Sequence, residues 1–97
     1  MLNRICTQIS RLDALDILQE ECAELIKAAS KIKRQLNGDP DVNPDPMENF
    51  IEELADVQLA KDVAIRKLLS VDEARRVTAG TFRKMERWED RLARRQN

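Results

Sequence analysis

The chain has 97 residues, enough for one small domain, and a chain of this length buries only about 60–65% of the surface it exposes when unfolded, so association with a second copy is expected. It is 42% hydrophobic and 36% charged with two glycines and three prolines, which suits long amphipathic helices better than a sheet protein rich in tight turns. The net charge of −1 hides an asymmetry: residues 1–60 hold six Lys/Arg against twelve Asp/Glu, and residues 61–97 hold eleven against six, a division that suits a site holding cations and polyphosphate together.

The start, Met1-Leu2-Asn3-Arg4-Ile5-Cys6, lacks the basic and apolar regions of a signal peptide, and no apolar run approaches the ~20 residues that cross a bilayer. The expectation is a cytoplasmic protein without a membrane partner. Residues 2–9 form either a short separate helix or an extension of the next one, with Ser10-Arg11-Leu12-Asp13 as a weak cap between them. From Leu15 the apolar residues Leu18, Cys22, Leu25, Ala29, Ile32 and Leu36 succeed one another in steps of three and four, the core stripe of a long helix. It should end near Asn37-Gly38, because glycine suits the left-handed position past a helix end and Pro40, Pro44 and Pro46 interrupt the next stretch of chain.

Asp45 as cap, Pro46 at the first helical position and Glu48 three residues after the cap start a second helix, from about Pro46 to Leu69. Its apolar residues cover most of its circumference, so it should be central and buried. Two other helices of the same chain are too few to bury it, which points to a homo-oligomer, a dimer first, completing a bundle of four or more helices. Ser70 and Glu73 repeat the capping spacing, so a third long helix should run from Val71 toward Arg95 in spite of Gly80. The whole chain, 1–97, reads as a single all-α domain, a long-helix bundle.

Cys6 and Cys22 stand sixteen positions apart with no other sulfur or imidazole to complete a zinc site, and are read as free thiols. The absence of histidine removes Ser-His and Cys-His nucleophiles, so any chemistry falls to carboxylates. Beside the stripe of the first helix lies a second row, Ile17, Glu21, Glu24 and Ala28; on the second helix the matching row is Glu53, Asp56 and Ala60. Side chains three apart on a helix are neighbours, so each pair of acids can face one pocket, and four carboxylates converge if the helices pack side by side. Such a cluster needs cations, and oxygen-only ligation selects hard ones, Mg²⁺ or Mn²⁺, which commonly complete their shells with phosphate oxygens. Read from spacing alone, the same acids are also ordinary solvated flanks of amphipathic helices.

The run Glu20-Glu21-Cys22-Ala23-Glu24-Leu25 followed by Glu52-Glu53-Leu54-Ala55-Asp56-Val57 resembles the paired motif E-E-x-x-E, spacer, E-x-x-D of the MazG-like nucleoside triphosphate pyrophosphohydrolases, over roughly residues 10–70. The resemblance implies Glu21, Glu24, Glu53 and Asp56 as ligands of Mg²⁺, with Glu20 outside the ligand set. It implies assembly as a dimer or tetramer and cleavage of a nucleoside triphosphate to monophosphate and pyrophosphate by water attack. Glu24 and Glu53 are then the catalytic acids, Glu24 by preference orienting or deprotonating the water. Lys31, two turns beyond Glu24, and Lys84 and Arg87 in the basic third helix are candidate phosphate contacts.

The basic helix has no nucleic-acid motif and the chain has only Phe50, Phe82 and Trp88 for stacking, so nucleic acid is not an expected partner. Trp88 is expected to pack rather than to stack on a base. The rival readings are a phosphoribosyl-nucleotide as substrate, and a non-catalytic helical oligomer that binds a cation or nucleotide.

Overall fold

A computed structural model describes residues 1–39 and 46–96 and contains four helices: α1 (Leu2–Thr7), α2 (Arg11–Leu36), α3 (Pro46–Leu68) and α4 (Val71–Arg95). Residues 2–7 are thus a separate helix. The cap before α2 is a complete capping box: the Asp13 backbone N–H donates to Ser10 Oγ at 2.9 Å and the Ser10 backbone N–H donates to Asp13 Oδ2 at 3.0 Å. α2 ends at Leu36 with Asn37 as its cap, and Gly38 follows at a φ of +81°, its N–H reaching the Gln35 carbonyl and the Asp39 N–H that of Arg34, both at 3.0 Å. The predicted cap Asp45 and the proline-rich loop before it lie outside the described residues. Ser70 and Glu73 form a second capping box, with bonds of 3.1 and 2.9 Å, and α4 has the predicted bounds.

α2 and α3 form an antiparallel hairpin: Ala14 packs with Val63 near one end, and Glu21 meets Asp56 two turns along. Small residues let the backbones approach, with Ala14 and Ala28 at 0% exposure on α2 and Ala60 at 2% on α3. α1 closes the open end. Cys6 joins Ala14 and Val63 in the core, Leu2, Ile9 and Leu68 pack around them, and the Lys67 ammonium donates to the Cys6 carbonyl at 2.8 Å. Arg66 also bonds Asn3.

The apolar pattern along α2 and α3 is wider than the surface they bury. The row of α2 that faces α3 contains Ala14, Ile17, Glu21 and Ala28, while of the predicted core stripe Leu18, Leu25, Ala29 and Ile32 are half-buried and Leu15, Cys22 and Leu36 are exposed. On α3 a second stripe, Met47, Ile51 and Leu54, is exposed as well, so α3 is buried on one side rather than all round. At 100° per residue, Leu15 and Ile26 on α2 and Met47 and Leu54 on α3 are displaced in the same helical sense from the contact line, with Ile51 opposite it; in antiparallel helices the first four therefore share one side of the hairpin.

α4 contributes no buried residue; Val71, Ala74 and Thr78 of its first turns face Leu2, Ile65 and Leu69 across an open cleft at the end of the hairpin, and the rest of the helix stands off. The radius of gyration is 17.2 Å, against about 12.5 Å for a compact chain of this length. The accessible surface is 8107 Å², about 2400 Å² more than a folded monomer of this mass exposes. Trp88, expected to pack, is 66% exposed and finds no core within its own chain. No helix is long and apolar enough to cross a membrane among the described residues.

Candidate metal centre

The site is built where the acidic rows of α2 and α3 meet. Glu21 lies on the buried side of α2 between Ile17 and Leu25, and Glu53 and Asp56 are one turn apart on α3, so the antiparallel packing brings the three carboxylates together. One ligand oxygen from each lies within 4.8 Å of the other two. Glu21 and Glu53 are half-buried and Asp56 is exposed at the mouth.

Two features mark this cluster off from a solvated flank. Glu53 Oε2 is removed from solvent and has no hydrogen-bond partner among the described residues, an arrangement that costs stability unless something is bound to it. Partial burial pushes the Glu21 carboxyl above the usual glutamate range, and the neighbouring charges of Asp56 and Glu53, a hydrogen bond to Asp56 and the charge of Glu20 add to the shift. The cluster therefore favours either a proton on Glu21 or a cation among the three carboxylates. Oxygen donors alone, in this number and partly open to water, fit Mg²⁺ or Mn²⁺.

Glu24, the fourth predicted ligand, is not in the cluster. One turn after Glu21 its side chain is exposed and accepts from the Lys27 ammonium at 3.4 Å. Lys31 comes later on α2, half-buried. Lys84 and Arg87 lie on α4, where they flank Trp88 together with Arg91, and they do not approach the carboxylates within one chain. Glu20 and Glu52, the acids preceding the motif pairs, are exposed.

Spacing did not single out the apolar wall beside the cluster. Ile5 and Ile9 join Ile17, Leu59, Ala60 and Val63 around a cavity of about 150 Å³ with Glu21 and Asp56 on its rim. The signal in the sequence was the apolar spacing Leu2, Ile5, Cys6 and Ile9 at the start of the chain, one face of a short helix that needs something to pack against. The cavity is smaller than the roughly 300 Å³ of ordinary ligand pockets, so this groove alone does not enclose a nucleotide. No family model, curated protein or solved structure matches the chain.

Proposed function

We propose that this protein is a Mg²⁺-dependent nucleoside triphosphate pyrophosphohydrolase that acts as a homo-oligomer and clears nucleotides from the precursor pool. The observation that carries the reading is the convergence of Glu21, Glu53 and Asp56 from two helices, with an unpartnered buried oxygen on Glu53. The order of acids along the chain, which resembles the MazG-like motif, adds the reaction class.

Glu21, Glu53 and Asp56 would hold the ion, and Mn²⁺ suits the same donors. When bound, Mg²⁺ supplies charge neutralisation to phosphate oxygens and the pyrophosphate leaving group. Glu24, exposed one turn from Glu21, is free to release Lys27 and to orient a water or accept its proton, since a surface ion pair of this kind is worth under about 1 kcal/mol. Lys31 extends the same helix as a phosphate donor. The apolar wall of Ile5, Ile17 and Leu59 limits water on one side of the carboxylates. Exposed apolar residues on α4 and on the hairpin support the oligomer, and because Asp56 and Glu24 are displaced from the contact line in the opposite helical sense to the apolar side of the hairpin, covering that side leaves the mouth open.

A second reading, a non-catalytic cation- or nucleotide-binding oligomer, is favoured by one observation: Lys84 and Arg87 stand away from the carboxylates in the single chain. Pyrophosphate release from a panel of canonical and modified nucleoside triphosphates, with Mg²⁺ and with EDTA, separates the two. Release that needs metal and is lost in Glu53→Gln is the expected result. Release retained by Glu53→Gln would overturn the mechanism, and no release from any triphosphate, or from a phosphoribosyl-nucleotide alone, would overturn the substrate assignment.

A further inference from the structure

We infer that α4 is a dimerisation helix that pairs in parallel, in register, with α4 of a second copy of this chain. The inference does not depend on the hydrolase reading. α4 is a 25-residue helix about 37 Å long with no buried residue, yet Val71, Phe82, Met85, Trp88 and Leu92 leave between 51% and 71% of their surface exposed. A solvated helix has no use for such side chains on one face. The spacing defines a seam: Val71, Thr78, Met85 and Leu92 recur every seven residues, and Ala74, Thr81 and Trp88 lie three positions after each of the first three. Three heptads of this form make a two-stranded coiled coil. Thr81 fits the seam because its hydroxyl already donates to the Val77 carbonyl at 3.0 Å, leaving the methyl group to pack.

Charge beside the seam selects the partner and its direction. One flank carries Val77, Lys84 and Arg91, and the other carries Arg75, Phe82 and Glu89. In a parallel pair each residue of the first flank meets the residue five positions later on the other helix. Lys84 then faces the partner's Glu89 twice by symmetry, and Val77 faces the partner's Phe82 twice. An antiparallel pair sets Lys84 against the partner's Lys84 and Val77 against the partner's Arg91 while bringing Arg75 to the partner's Glu89, so only the parallel pair joins Lys84 to an acid and leaves no like charges opposed. Neither Lys84 nor Glu89 has an ion pair within its own chain among the described residues, whereas Asp90 and Arg94, which point outward, pair at 2.9 Å. Gly80 also falls outside the seam, so it leaves no gap there.

The surface excess agrees with this arrangement. The chain exposes about 2400 Å² more than a folded monomer of its mass, and a stable dimer needs about 800 Å² from each partner. An anionic membrane surface suits α4 less well, because Glu89 borders the apolar face and five acids lie along the helix.

The test is the mass of the full chain by light scattering across a concentration series, with circular dichroism to confirm helix content in every variant. The wild type should be a dimer or a higher even oligomer. Lys84→Glu should raise the concentration at which it dissociates by about tenfold, and Lys84→Glu combined with Glu89→Lys should restore it, since the swapped charges meet again only in the parallel pair. Met85→Cys in a Cys22→Ser background should give a disulfide dimer on mild oxidation, because the seam brings the two copies of this position together. A chain that stays monomeric, whether or not it binds anionic vesicles, would overturn the inference. So would an oligomer unchanged by Trp88→Glu, which would place the contact on the hairpin, or a charge swap that fails to restore association.

Discussion

Glu53→Gln removes one negative charge from the carboxylate cluster while keeping the side chain's size. In the metal-free protein Glu53 Oε2 is buried and accepts no hydrogen bond from the described residues, and a buried acceptor left in this state costs about 1–3 kcal/mol. A glutamine amide brings a donor that Glu21 or Asp56 can accept, both being within the same cluster. The metal-free variant should therefore be about 1 kcal/mol more stable than the wild type, a rise in Tm of about 4–8 °C for a domain of this length. Mg²⁺ should reverse the order. At ten times its Kd the ion adds RT ln 11, about 1.4 kcal/mol or about 6–11 °C, to the wild type and little to the variant, which has lost a ligand charge. Thermal melts followed by far-ultraviolet circular dichroism, with EDTA and with Mg²⁺, read both effects; protein concentration is held constant because association also moves Tm. Wild-type melting unmoved by millimolar Mg²⁺ or Mn²⁺, or a variant that gains as much as the wild type, would refute the metal-centre reasoning independently of any activity assay.

Acidity should act on the metal-free cluster in a defined direction. Glu21 titrates above the usual glutamate range, so its contribution to stability is complete below that range and is lost as pH rises through its own raised value. Asp13 and Glu73 act oppositely: the Ser10 and Ser70 backbone N–H groups, then their hydroxyls, hold these carboxyls low, so their contribution is present above the usual carboxylate range and is lost as pH falls through their lowered values. Melting in EDTA between pH 4 and 7 should show the Glu21 loss in the wild type and not in Glu21→Gln. Ser70→Ala removes the hydroxyl that caps α4 and should cost about 1 kcal/mol, read as lost helix content and as weaker association through the α4 seam. Gly80→Ala should stabilise α4 by about 0.5–1 kcal/mol, since a Cβ there meets only the Arg83 guanidinium at 3.6 Å; a fall in Tm would show that this face is covered in the oligomer.

The sequence by itself determined the helices. Ser10 with Asp13, Gly38, Pro46 and Ser70 with Glu73 satisfy or terminate backbone hydrogen bonding through contacts within a few residues, so the boundaries of α2, α3 and α4 were legible from local chemistry. The spacing of acids was legible for the same reason. Which acids meet was not, because residues three apart differ by about 60° around a helix and only the position of α3 decides which of them faces inward. Glu21 turned toward Glu53 and Asp56, and Glu24 turned to water and Lys27. The tertiary structure likewise decided that the contact line runs through Ala14 and Ala28 rather than along the larger apolar stripe, since small residues give the closest backbone approach. It also decided that α4 stands away from the hairpin. Periodicity shows that a face is apolar, but what covers the face is a matter of long-range packing, which no local pattern of residues encodes.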